Sequence, residues 1–177
     1  MLFRSFVTLI VLTSGFVSVD AREVPYGKAY AGVGFCFGEH QLDGRDPGYH
    51  LSIGLGRVYS QLNEVVARAS AMFYKGANNE GLSLPTDLHA YAVGLDLKWN
   101  LGRHRSPVRT YFFVGTGGLG MYLGERWRSD AYLGGGFGMH SGSGKRTFNL
   151  ELRWLEGIGR SLGDDARMIM LTFGAAM

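Results

Sequence analysis

Along most of the chain, apolar residues recur at every second position. The tail MIMLTFGAAM puts Ile169, Leu171, Phe173, Ala175 and Met177 on one parity and Met168, Met170, Thr172, Gly174 and Ala176 on the other. A strand sends alternate side chains to opposite faces, so each parity is a face. Seven earlier segments read the same way. GKAYAGVGFCF opposes Ala29, Ala31, Val33, Phe35 and Phe37 to Lys28, Tyr30, Gly32, Gly34 and Cys36. HLSIGLG opposes Leu51, Ile53 and Leu55 to His50, Ser52, Gly54 and Gly56. EVVARASAMFY sets Val65, Ala67, Ala69, Ala71 and Phe73 against Arg68, Ser70 and Met72. In HAYAVGLDLKWN, Tyr91, Val93, Leu95, Leu97 and Trp99 face away from Ala92, Gly94, Asp96, Lys98 and Asn100. RTYFFVGTGGLGMY, starting near Val108, puts Phe112 and Val114 opposite Tyr111, Gly115 and Gly117. DAYLGGGFGMH and TFNLELRWL complete the series, with Glu151 and Arg153 on the polar parity of the latter.

No stretch of this region carries a helical period. The connections GEHQLDGRDP, KGANNEGLSLPTD, GERWRS and EGIGRSLGDD are long, and VYSQLN, LGRHRSP and SGSGK are short. Long and short alternate from the first connection onward. Successive antiparallel strands send connections to alternate ends, so the pattern predicts eight up-and-down strands with long loops at one end and short turns at the other.

Residues 1–21 differ. Arg4 precedes the apolar run Phe6–Leu12, and Val19 and Ala21 are small residues at cleavage spacing, the marks of a secretory signal peptide. The domain expected after it is 22–177. Its net charge is +3, which with export argues against nucleic acid. Cys36 is the single cysteine, so there is no internal disulfide framework. Charged residues make up 19%, below the usual quarter or so, while hydrophobics reach 46%; with 28 Gly and 4 Pro this reads as an ordered β protein. No window after the signal is long and apolar enough for a membrane helix.

Alternation alone does not say which face is outside: a soluble lipocalin-like binding barrel hides its apolar face, whereas a membrane barrel shows it to lipid. Three features favour the membrane. The polar parity is rich in Gly, Ser and Tyr and poor in the Lys, Glu and Gln of a wetted surface. Its charges Arg68, Asp96, Lys98, Glu151 and Arg153 are of both signs, as barrel-interior charges that pair must be. Phe37, Phe73, Tyr91 and Trp154 fall near the long-loop end of the apolar face, and Trp99 and Phe148 near the other, the placement of aromatic girdles. The final strand is expected to pair with the first, because backbone groups in a bilayer must find partners within the protein. On this reading Leu95 faces lipid and takes Arg badly, while Gly94, facing inward, accepts Ser.

These features resemble the small eight-stranded outer-membrane β-barrels of Gram-negative bacteria, the OmpA/OmpX-like group. The carriers are the signal, the eight segments, PVRTYFFVGTGGLG and LTFGAAM. The resemblance implies an all-β, up-and-down transmembrane barrel in the outer membrane. It also implies contacts with outer-membrane lipids and lipopolysaccharide, recognition of the last strand by the barrel-assembly machinery, a monomer, and no cofactor. Met177 stands where the family commonly ends in Phe.

Candidate chemistry is sparse. His140, Ser141 and Ser143 with Glu151 suggest a nucleophile, a base and an orienting acid, and the outer-membrane lipid A deacylases are similar in this respect. Their His-x-Ser-Asn pattern is missing, since Gly occupies position 142, and His140 leads into a short turn. The expected role is therefore non-enzymatic: envelope support or surface interaction through the long loops. GTGGLG sits in a strand and opens no helix, so it is not a nucleotide loop. Glu156, Asp164 and Asp165 read as a solvated acidic loop. Arg103, His104 and Arg105 read as a solvated basic turn, and Cys36 as an inert barrel residue.

Overall fold

The computed structural model describes residues 26–38, 48–59, 63–75, 87–101, 108–123, 126–142, 147–159 and 167–177. The expected signal peptide lies outside the described residues, as do Ser143, the Arg103–Arg105 turn and Asp164 and Asp165. The strands are β1 (Tyr26–Gly38), β2 (Gly48–Val58), β3 (Asn63–Lys75), β4 (Asp87–Asn100), β5 (Val108–Leu123), β6 (Arg126–Ser141), β7 (Thr147–Gly157) and β8 (Arg167–Ala176). Each is antiparallel to its neighbours in sequence, and β8 pairs with β1 to close the barrel. Closure continues past the last strand residue: Ala29 and Met177 exchange both backbone hydrogen bonds, at 2.9 and 3.0 Å.

The stagger can be followed around the wall. Tyr26 pairs with Val58, Val58 with Glu64, Glu64 with Lys98 and Lys98 with Phe113. Phe113 pairs with Gly136, Gly136 with Arg153, Arg153 with Met170 and Met170 with Cys36. One circuit thus returns to β1 ten residues along, from Tyr26 to Cys36. That stagger tilts the strands by roughly 40° and leaves an interior only wide enough for side chains.

The parities read from the sequence are the two faces. Leu51, Ile53 and Leu55 on β2 are 50–72% exposed, while His50 and Ser52 between them are buried. Val33, Val93, Leu95, Phe137, Leu152 and Phe173 are likewise exposed. An outer wall so rich in exposed Val, Leu, Ile and Phe, completed on β3 by Ala67 and the half-buried Val65 and Phe73, is stable only in hydrocarbon. Aromatic contacts mark both margins of this wall. Toward the long connections, Phe73 meets Tyr91 edge-on at 6.5 Å, and Tyr91 lies 6.0 Å from Trp127. Toward the short connections, Trp99 stacks on Phe112 at 4.9 Å.

Two expectations need correction. The segment GERWRS is mostly strand: β6 begins at Arg126, so only residues 124 and 125 separate it from β5, and the alternation of long and short connections fails there. Tyr122 pairs with Trp127 and Met121 with Arg128, and the ladder needs only backbone groups, which carry no hydrophobic pattern. Gly94 will not accept Ser freely. A Cβ there would collide with the Tyr132 hydroxyl and with the Thr116 carbonyl oxygen. Its glycine is a close-approach requirement set by a neighbour two strands away.

The interior is layered. Near the long connections, Met72, Leu119, Met121, Leu155, Met168 and Met170 pack with Cys36, Ala90, Ala92 and Tyr132 into an apolar plug. Alternation alone turns Met72, Met168 and Met170 inward, and tilt and closure bring them together with Met121. Below this plug lie the charges.

Candidate functional site

Asp96 and Lys98 come from β4, Arg68 and Glu64 from β3, and Glu151 and Arg153 from β7. Each pair is spaced two or four residues apart, so strand geometry alone turns both members inward. Tilt and closure then bring three strands' worth of charge to one level of the lumen.

Arg153 grips Asp96 with both terminal nitrogens, Nη1 to Oδ1 at 2.9 Å and Nη2 to Oδ2 at 2.5 Å. It also donates to Glu151 Oε1 from Nε at 3.3 Å and from Nη2 at 3.1 Å. Arg68 spans the same two acids, with Nε to Asp96 Oδ2 at 2.9 Å and Nη2 to Glu151 Oε2 at 3.1 Å. Lys98 Nζ approaches Glu151 Oε2 at 3.5 Å, and Tyr111 donates its hydroxyl to the same oxygen at 3.0 Å. Glu64 accepts a hydrogen bond from Tyr30. Aromatic faces complete the packing: Lys98 Nζ lies 4.6 Å from the ring centres of both Tyr30 and Tyr111, and Arg153 sits 4.3 Å above Phe113.

Three cations and three carboxylates are therefore buried together, with none of the six more than 6% exposed. An isolated buried charge would cost several kcal/mol or more, so sign balance and multiple hydrogen bonds are conditions for this layer to exist. Small residues make room: a Cβ on Gly115 would strike Asp96, and one on Gly138 would strike the Tyr111 ring.

All five charges named from the sequence, Arg68, Asp96, Lys98, Glu151 and Arg153, meet in this network. Glu64, Tyr30 and Tyr111 belong to it too and were not singled out. The signal was available, since Glu64 shares its parity with Arg68 four residues on. His140, Ser141 and Glu151 are not brought together. His140 is buried, stacked on Tyr111 at 4.4 Å, while Ser141, its chain neighbour, is exposed on the opposite face. Glu151 is engaged by Arg68, Lys98, Arg153 and Tyr111. Glu156, from the expected acidic loop, is the penultimate residue of β7 and pairs with the partly exposed Arg167 at 3.2 Å. Cys36 is buried within the apolar plug, where its Sγ lies 3.4 Å from the Tyr49 carbonyl oxygen.

A closed eight-stranded barrel with an apolar outer wall and a paired, charged interior has the fold of the small outer-membrane β-barrels of Gram-negative bacteria. Solved structures bear this out. Neisserial surface protein A (NspA) superposes with a TM-score of 0.73 at 15% identity, over 88% of this chain and 99% of that one. The N-terminal β-barrel domain of Pseudomonas aeruginosa OprF gives 0.53 at 14% identity, over 85% and 94%. The outer membrane enzyme PagL gives 0.54 at 11% identity, over 85% and 98%. At these identities the likeness establishes the fold. No protein-family model and no curated protein matches the sequence.

Proposed function

We propose that the protein is a non-enzymatic barrel of the Gram-negative outer membrane, serving envelope structure or surface interaction through its long connections. The observation that carries this reading is the filled lumen. The buried, balanced network lies beneath an apolar plug, and the outward face of the wall is apolar. Polar recognition is then confined to the two ends of the barrel, and the long connections offer the larger surface. Outer-membrane lipids and lipopolysaccharide are the expected neighbours of the wall. The barrel-assembly machinery is the expected reader of β8. A closed barrel leaves no free strand edge and so favours a monomer.

The separation of His140 from Ser141 argues against a lipid A deacylase, because a nucleophile needs its base within hydrogen-bond reach. The test is mass analysis of lipid A from cells with and without the protein. Identical acylation is expected. Loss of one acyl chain only in cells that make the protein would overturn the reading.

A further inference from the structure

The outer wall is not smooth. A groove of about 520 Å³ crosses it from β1 to β4, with an almost wholly apolar lining. Ala31, Ile53, Ala69 and Val93 pair in turn along its lower part, and Leu51 and Ala71 pair one same-face step above. The groove follows from side-chain size. Ala69 and Ala71 are the small outward residues of β3, while Leu51 and Ile53 on one side and Tyr91 and Val93 on the other stand out from the wall, 43–67% exposed.

A row of rings lies immediately above it. Phe35, Tyr49, Phe73, His89, Tyr122 and Trp127 pair in turn from β1 to β6, one same-face step beyond the groove toward the long connections. Tyr49, Tyr122 and Trp127 in this row are exposed. Tyr and Trp settle where hydrocarbon meets head groups, since each has an apolar body and a polar tip. The row therefore marks the head-group level of one leaflet, and the groove opens just inside that leaflet's hydrocarbon.

What fills the groove follows from where it lies. Left empty, its lining atoms would forfeit dispersion contacts. A protein partner has no hydrophobic advantage over lipid here, because lipid tails are as apolar as Leu. A second copy related by a two-fold axis would present the same groove, and concave against concave leaves a void. A flexible chain can bend to the shape.

We infer that this groove seats an acyl chain of a resident lipid in the leaflet at the long-connection end, held beneath the aromatic row. The choice of lipid rests on the outward placement of the long connections proposed above. In that orientation the lipid is lipopolysaccharide.

The test takes the full barrel from outer membranes of cells that make core-length lipopolysaccharide, extracts it in a maltoside detergent and counts retained lipid by native mass spectrometry. One lipopolysaccharide per barrel is expected. The double variant Ala69→Leu/Ala71→Phe fills the groove from the lipid-facing parity and leaves the lumen untouched; heat-modifiable gel mobility shows that it has assembled. Its retained lipid should fall at least tenfold. Leu152→Phe, which adds bulk to the outer wall on β7, should retain lipid as wild type does. Equal retention by the double variant would overturn the inference, as would a barrel that carries no lipid, only phospholipid, or a second copy in its place. Labelling of Ser83→Cys, between β3 and β4, with a membrane-impermeant maleimide on intact cells reads the orientation separately. Labelled protein is expected. Unlabelled protein would overturn the orientation and with it the choice of lipopolysaccharide, whereas labelled protein without retained lipid would overturn the groove assignment alone.

Discussion

Arg153 on β7 and Asp96 on β4 are joined across the lumen by two parallel hydrogen bonds, Nη1 to Oδ1 and Nη2 to Oδ2. Their strands are not neighbours, so the pair spans the barrel interior and ties one wall to the other. The same Asp96 Oδ2 also accepts from Arg68 Nε, which makes the carboxylate the meeting point of three strands.

Removing that meeting point should be costly. Asp96→Asn keeps the shape but leaves Arg68 and Arg153 with one acid, Glu151, to share. Breaking a buried pair by taking away one partner typically costs about 3–5 kcal/mol. Urea unfolding in detergent micelles or lipid vesicles, read by tryptophan fluorescence, measures it. A loss below about 1 kcal/mol would mean that water relieves the charges and that the network is less dry than its geometry implies.

Depth in the bilayer should grade the cost of charge on the outer wall. Leu95 lies mid-strand and is 55% exposed, whereas Leu101 lies just past the end of β4 at 61% exposure. Leu95→Arg should destabilise by about 2–4 kcal/mol and Leu101→Arg by about 0–1 kcal/mol. The same unfolding assay in vesicles compares them. Equal costs would show that the exposed apolar face does not lie in hydrocarbon.

The lumen should not conduct. The charge network and the methionine-rich plug above it leave no continuous aqueous path in a barrel of eight strands. Planar-bilayer recordings of the purified protein should show no steady steps. Large, stable conductance would require both layers to move aside.

Deleting Ala175–Met177 should prevent assembly. Ala31 and Tyr30 would lose their partners Ala175 and Ala176, and Ala29 would lose both hydrogen bonds to Met177. Backbone groups left open in lipid have no substitute partner. Heat-modifiable gel mobility of membrane fractions reads the outcome, since folded barrels migrate differently before boiling. Met177→Phe, on the same lipid-facing parity, should assemble at least as well as wild type. A deletion that assembles normally would show that closure does not depend on these last ladder positions.

The period-two pattern by itself determined the number of strands, the face of each side chain and the inward turn of Arg68, Asp96, Lys98, Glu151 and Arg153. These follow locally, because a strand's alternation depends only on its own backbone. What the pattern did not contain was anything that depends on which strands face each other across the lumen. The clasp of Arg153 on Asp96, the convergence of the methionines into a plug and the collision awaiting a side chain at Gly94 all arise from tilt and closure, which bring together residues far apart in sequence. The extension of β6 back to Arg126 was hidden for a related reason: it rests on backbone hydrogen bonds to β5, to which the polarity of the side chains contributes no signal. Adjacency was equally misleading for His140 and Ser141, because in a strand the nearest neighbour in sequence is the residue that points the other way.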